Sequence, residues 1–121
     1  MKTCLVVDDS SVIRKVARRI IEEIGYDVDE AEDGREAFEK CTKNMPDTIF
    51  VDWNMPVMSG LEFVKELRSY VGGEKPKIIF CTTENDVGHI AMALKAGANE
   101  YMMKPFDREI LESKFQGLDQ N

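Results

Sequence analysis

Five residues able to handle phosphate and a divalent cation stand at the ends of short apolar runs. Asp8 and Asp9 follow Cys4-Leu5-Val6-Val7, and Asp52 follows Thr48-Ile49-Phe50-Val51. Thr82 follows Ile78-Ile79-Phe80-Cys81, and Lys104 follows Tyr101-Met102-Met103. Gathered in one crevice, three carboxylates repel one another, which raises a carboxyl pKa or recruits a cation. A hard ion with oxygen ligands suits them, and Mg²⁺ takes a few carboxylates plus waters and phosphate oxygens. An ammonium and a hydroxyl suit the remaining oxygens of a phosphoryl group. Asp52 sits centrally and is the candidate nucleophile for an aspartyl phosphate. Taken singly, each residue has a plainer reading. Asp8 or Asp9 can cap the following helix. Asp52 can be a strand-end turn residue, and Lys104 a solvated surface lysine.

Convergence requires a particular chain layout, and the hydrophobic pattern supplies it. Val12, Val16, Ile20 and Ile24 recur every four residues beside Ile13, Ala17 and Ile21, which predicts a helix. Ser10 or Ser11 is placed to cap it, and Gly25 to end it. Tyr26 to Ala31 predicts a weaker, acid-rich strand. Helices are expected around Ala37, Phe38 and Cys41; Leu61, Val64 and Leu67; Ile90, Ala93 and Leu94; and Ile110, Leu111 and Phe115, the last capped by Asp107. Strict strand–helix alternation predicts an α/β, doubly wound (βα)5 fold: a parallel sheet with helices on both faces. Strands one, three and four are apolar throughout, as doubly covered strands should be, and the polar second strand belongs at an edge. Order 2-1-3-4-5, a known flavodoxin-like arrangement, fits. It opens its ligand crevice beyond the strands' carboxyl ends, where the five polar residues stand.

Composition bounds the function. The 121 residues fit one domain, 1–121. With 16 basic and 23 acidic residues the net charge is −7, which argues against nucleic-acid and anionic-membrane binding. Three cysteines without CxxC spacing and a single histidine give no disulfide framework and no zinc pattern. The N-terminal apolar run is cut off by two aspartates and is neither a signal peptide nor a membrane span. A cytoplasmic monomer is expected. Cys4 and Cys81 read as inert buried thiols, Trp53 as a partly exposed loop aromatic, His89 as a surface helix residue, and Met102 and Met103 as core or edge packing.

The motifs together resemble the receiver domains of two-component response regulators, CheY-like stand-alone members above all. The resemblance rests on Leu5-Val6-Val7-Asp8-Asp9-Ser10, Glu32-Asp33-Gly34, and the loop from Asp52 to Gly60, which follows D-x-x-M-P-x-M-x-G. Thr82, Ala96-Gly97-Ala98 and Lys104-Pro105-Phe106 complete it. It implies that Asp52 is the phosphoacceptor. It also implies that Asp9, Asp52 and the Asn54 backbone carbonyl hold Mg²⁺, with Asp8 acting through a bound water. Thr82 and Lys104 would contact the phosphoryl group, Tyr101 would be the switch aromatic, and Asn54 and Glu84 would tune phosphoryl lifetime. A cis Lys104-Pro105 peptide is implied as well. Thr83 departs from the alanine common at its position.

The expected function is a phosphorylation-activated signalling switch, not an enzyme in the usual sense, although it assists its own phosphorylation and dephosphorylation. A histidine kinase would donate the phosphoryl group. With no output domain expected after residue 121, signalling would run through contact with a downstream protein target, plausibly in chemotaxis. The first alternative is a phosphorelay intermediate serving a histidine phosphotransfer protein. A remote alternative is an aspartyl-phosphate phosphatase, which needs a D-x-D pair at its nucleophile strand, whereas Asp52 is followed by Trp53-Asn54.

Overall fold

The apolar runs become the strands, and the computed structural model describes residues 2–83 and 87–119, Asp119 by its backbone alone. In chain order the elements are β1 (Thr3–Val7), α1 (Ser11–Ile24), β2 (Asp27–Ala31), α2 (Gly34–Lys43) and β3 (Thr48–Asp52). They continue as α3 (Gly60–Arg68), β4 (Lys77–Thr82), α4 (Val87–Ala96), β5 (Glu100–Met103) and α5 (Arg108–Asp119). The sheet is parallel with order β2-β1-β3-β4-β5, as expected. Polar β2 lies at one edge.

Each sheet face carries its own core. Leu5, Val7, Ile49, Val51, Ile78 and Phe80 pack against Ala37, Phe63, Val64, Leu67 and Ala93 of α2, α3 and α4. Cys4, Val6, Phe50, Ile79 and Met102 pack on the other side against Ala17, Ile20 and Ile21 of α1 and Leu111 and Phe115 of α5. Successive strand residues alternate between the two cores because side chains alternate across a strand. Covering both faces removes the polar-out positions, so the central strands read as unbroken apolar runs.

Helix ends follow the residues expected to make them. The Ser10 hydroxyl accepts the Ile13 N–H at 3.3 Å, a cap worth about 1 kcal/mol. Gly25 closes α1 at φ 116. The Asp107 carboxylate accepts the Ile110 N–H at 2.9 Å. Four of the apolar residues that marked the helices point outward: Val12 (67% exposed), Val16, Leu94 and Ile110. In α1 the reason is geometric. A step of four residues overshoots one turn by about 40°, so the row drifts around the cylinder. The buried face centres on Ala17, Ile20 and Ile21, and Val16 and then Val12 rotate off it.

Register aligns the functional ends. Val7 pairs with Val51, Asp52 with Cys81, and Thr82 with Met103. The residues that follow these pairs therefore share one rim. Past Asp52 the pairing runs one step further, since the Trp53 N–H donates to the Cys81 carbonyl at 3.0 Å. The chain then returns tightly, and the Gly60 N–H donates to the Trp53 carbonyl at 2.9 Å. Only a glycine fits there, because a Cβ on Gly60 would lie 2.1 Å from the Asp52 carbonyl oxygen. Gly60→Ala should cost about 2–3 kcal/mol in urea unfolding. Gly117→Ala, whose Cβ meets nothing within 4 Å, should be neutral or stabilise by up to about 1 kcal/mol.

Candidate functional site

Asp8, Asp9 and Asp52 each place a carboxylate oxygen within 4.8 Å of the others. Asp8 is fully buried, Asp52 nearly so (6% exposed), and Asp9 is open to solvent. The end of β1 is held from several sides. The Asp8 N–H donates to the Ala31 carbonyl, and the Asp8 carboxylate accepts the Ser10 N–H at 2.9 Å. Arg14 donates to the Asp8 carbonyl at 2.7 Å and to the Glu30 carboxylate at 3.0 Å, which ties α1 to β1 and β2. Asp8 does not cap α1, whose N-cap is Ser10; its side chain accepts the N–H of that cap residue and also faces the crevice.

Lys104 reaches across the rim from the end of β5. Its Nζ lies 2.9 Å from Asp8 Oδ2 and 3.1 Å from Asp52 Oδ1. The Lys104 N–H donates to the Thr82 carbonyl at 2.8 Å, and the Lys104-Pro105 bond is cis. Thr82 is buried at the end of β4. Asn54 is exposed on the loop beside Asp52, and Tyr101 is half-buried with Lys114 Nζ 5.2 Å from its ring centre. Glu84 lies outside the described residues. The loop bends at Val57, which takes φ 70, a left-handed conformation that a β-branched residue rarely adopts. That strain sits five residues past the candidate nucleophile, the kind of place where strained backbone gathers.

Two aromatic assignments need correction. Trp53 is buried, 8% exposed, with its ring 5.0 Å from Phe80 and 4.8 Å from His89. His89 accordingly packs inward on α4 and is not a bare surface residue. The indole continues the alternation of Ile49 and Val51 onto the same sheet face, because the β3 pairing runs on to Trp53. Other readings agree with the geometry. Met102 is core, and Cys4, Cys41 and Cys81 are buried. Burial pushes the Cys41 and Cys81 thiols up to about 12, so they stay protonated and unreactive at neutral pH.

The electrostatics are those of an unbalanced site. Burial holds the Asp52 carboxyl above the ordinary range, and the Asp8 charge pushes the same way. The Lys104 ammonium opposes both, and Asp9 adds a smaller upward push. Burial also works against the Lys104 charge, but its hydrogen bonds to Asp8 and Asp52 outweigh that, and its pKa is raised. One ammonium therefore pairs with two of the three carboxylates, Asp8 and Asp52, and leaves room for further positive charge. A small cation with oxygen ligands matches this donor set. Asp8, Asp9 and Asp52 converge on one point, and the exposed side of Asp9 leaves space for water.

The pH dependence has a definite sign. Native Asp52 binds its proton more tightly than the unfolded chain does. Its ionisation therefore costs stability as pH rises past about 3.9, and the whole cost is present above the native midpoint. Lys104 behaves differently: its contribution is complete below about 10.4 and is lost as pH climbs through its native value. In chelator, Asp52→Asn should be more stable than the parent at pH 7, with the gap closing below about pH 3.9. Urea midpoints measured against pH check this, and a gap that does not vary with pH would contradict it.

Comparison with known proteins accounts for the arrangement. Residues 4–116 match the model of the response regulator receiver domain. The chain is 44% identical over 114 residues to the chemotaxis protein CheY1 of Helicobacter pylori, covering 93% of this chain and 92% of that one. It is 44% identical over 116 residues to a CheY homolog of Campylobacter jejuni, covering 94% and 89% respectively. Among solved structures it superposes on the chemotaxis response regulator CheY4 of Vibrio cholerae with TM-score 0.93 at 38% identity, covering 98% of each chain. A strand order, an acidic rim and a loop that all fit one family, matched over almost the whole chain, place this protein among the response regulator receiver domains, of the CheY type.

Proposed function

We propose that Asp52 accepts a phosphoryl group from the phosphohistidine of a histidine kinase, or from a small acyl or amido phosphate. An Asp52 carboxylate oxygen attacks phosphorus, and the bond from phosphorus to the donor atom breaks: nitrogen in a phosphohistidine or amido phosphate, oxygen in an acyl phosphate, the electron pair leaving with the imidazole, the amine or the carboxylate respectively. The product is a mixed anhydride on Asp52. The observation that carries this reading is the meeting of Asp52 Oδ1 with Lys104 Nζ at 3.1 Å inside a cluster of three carboxylates. Lys104 is positioned to exchange its carboxylate contacts for phosphoryl oxygens. Thr82, at the end of the neighbouring strand, is positioned to donate its hydroxyl to a third oxygen.

Asp9, Asp52 and the Asn54 backbone carbonyl would hold Mg²⁺, with Asp8 acting through a bound water. Bound there, the ion supplies charge neutralisation for the attacking carboxylate and the incoming phosphate. Positioning does the rest, because phosphoryl transfer asks little covalent chemistry of the protein. Closing of Thr82 on the new charge and turning of Tyr101 would repack the face formed by α4, β5 and α5. A downstream protein must prefer that face, since equal affinity for both states transmits nothing.

The similarity to named chemotaxis proteins supports a chemotactic target. Among the described residues no helix is long and apolar enough to cross a membrane, in keeping with a cytoplasmic regulator that meets its kinase by diffusion. The match over residues 4–116 supports reading residues 1–121 as a single receiver domain.

Two measurements test the proposal. With acetyl phosphate and Mg²⁺, intact-mass spectra should show one acid-labile phosphoryl adduct that disappears in Asp52→Asn. An adduct kept by that variant would put the nucleophile elsewhere. Mg²⁺ should also raise the thermal midpoint, since only the folded chain assembles the cluster. At about ten times its dissociation constant the gain is about 1.4 kcal/mol, a few degrees for a domain of this size. Asp9→Asn should lose most of that gain, and a midpoint indifferent to millimolar Mg²⁺ would count against the site.

A further inference from the structure

The single tryptophan and single histidine of this chain touch. Trp53 directly follows Asp52, and its backbone is fixed on both sides, through its N–H to Cys81 and its carbonyl from Gly60. The indole packs on Phe80 of β4 at 5.0 Å and on His89 of α4 at 4.8 Å, at 43° and 45° between planes. It is therefore a rigid extension of the strand end that carries the phosphoacceptor.

In the first half of α4, His89 and Ile90 are half-buried and Val87 is exposed. Among its described residues only Ala93 is buried, while Val87, Met92 and Leu94 are exposed. Its far end is pinned differently. Arg68 Nε and Nη2 donate to the Gly97 carbonyl at 3.1 and 2.7 Å, and Arg68 Nη1 donates to the Gly73 carbonyl at 2.8 Å. Gly97 takes φ 120, and the Ala98 N–H donates to the Ala93 carbonyl. A charged, multiply bonded clamp at one end and a ring contact at the other describe a lever hinged at Gly97.

We propose that His89 is a positioning residue whose imidazole, packed on Trp53, seats the first half of α4 beside the phosphoacceptor and holds it in the resting position. The proposal rests on Asp52 being that acceptor, and it adds a second linkage from Asp52 to the α4 face, separate from Thr82 and Tyr101. Linkage fixes its sign. If loading Asp52 moves α4 off the indole, the stack opposes loading, and removing the stack must favour it by the same factor.

The test uses the full chain and two variants, His89→Ala and the ring-retaining His89→Phe. Backbone amide exchange is followed by mass spectrometry without any phosphoryl analogue. Beryllofluoride is then titrated calorimetrically in the presence of Mg²⁺. In His89→Ala, amides of residues 87–96 should exchange about threefold faster while those of α5 keep their parent rates, and beryllofluoride should bind about threefold more tightly. His89→Phe should restore both values. Unchanged exchange in His89→Ala overturns the seat. Faster exchange with unchanged or weaker beryllofluoride binding overturns the coupling, leaving plain packing, which would not tighten binding. A parent protein that takes up no beryllofluoride sinks the phosphoacceptor reading and the coupling together, while the seat is still judged by exchange alone.

Discussion

Three clustered carboxylates, two of them paired to a single ammonium, set the terms for the rest of this molecule. Asp8 is buried completely, Asp52 nearly so, and Lys104 is shared between them at 2.9 and 3.1 Å. Such a cluster does not form by attraction alone. The fold imposes it, through parallel strands whose register brings their carboxyl ends to one rim. The two apolar cores supply the free energy that the charges do not, since burial of apolar surface is the dominant favourable term in folding. The site is thereby left short of positive charge.

Loop and cap details serve the same end. Arg14 fixes the backbone of Asp8 and joins it to Glu30, so the end of β1 cannot drift away from its repelling neighbours. Gly60 lets the chain fold back against the Asp52 carbonyl. Between them lies Val57 in a left-handed conformation, kept in place by a loop closed on both sides. The closed loop after Asp52 contrasts with α4, in which only Ala93 is buried among the described residues. A receiver needs both properties, a fixed acceptor and an element cheap enough to move that one added charge can move it.

Much of this was legible in the sequence because its causes are local or periodic. Unbroken apolar runs marked the doubly covered strands, acidic alternation marked the edge strand, and polar residues at run ends marked the rim. The loop motif named Asp52 before any geometry was known. What escaped were properties that depend on rotation and on where a strand's pairing ends. Four-residue spacing put Val12 and Val16 on one stripe with Ile20 and Ile24, whereas the drift of a 3.6-residue helix carries the first two out to solvent. Leu94 and Ile110, which also marked helices, lie on faces open to solvent. Trp53 read as a loop aromatic because the apolar run was ended at Asp52, although Trp53 continues the Ile49 and Val51 alternation on the same face.

The charge deficit at Asp52 is the central claim, and carboxyl-carbon NMR titration reaches it most directly. In chelator the Asp52 signal should titrate with a midpoint above the ordinary aspartate value of about 3.9, and saturating Mg²⁺ should drive that midpoint down. An ordinary midpoint that Mg²⁺ leaves unmoved would contradict the account.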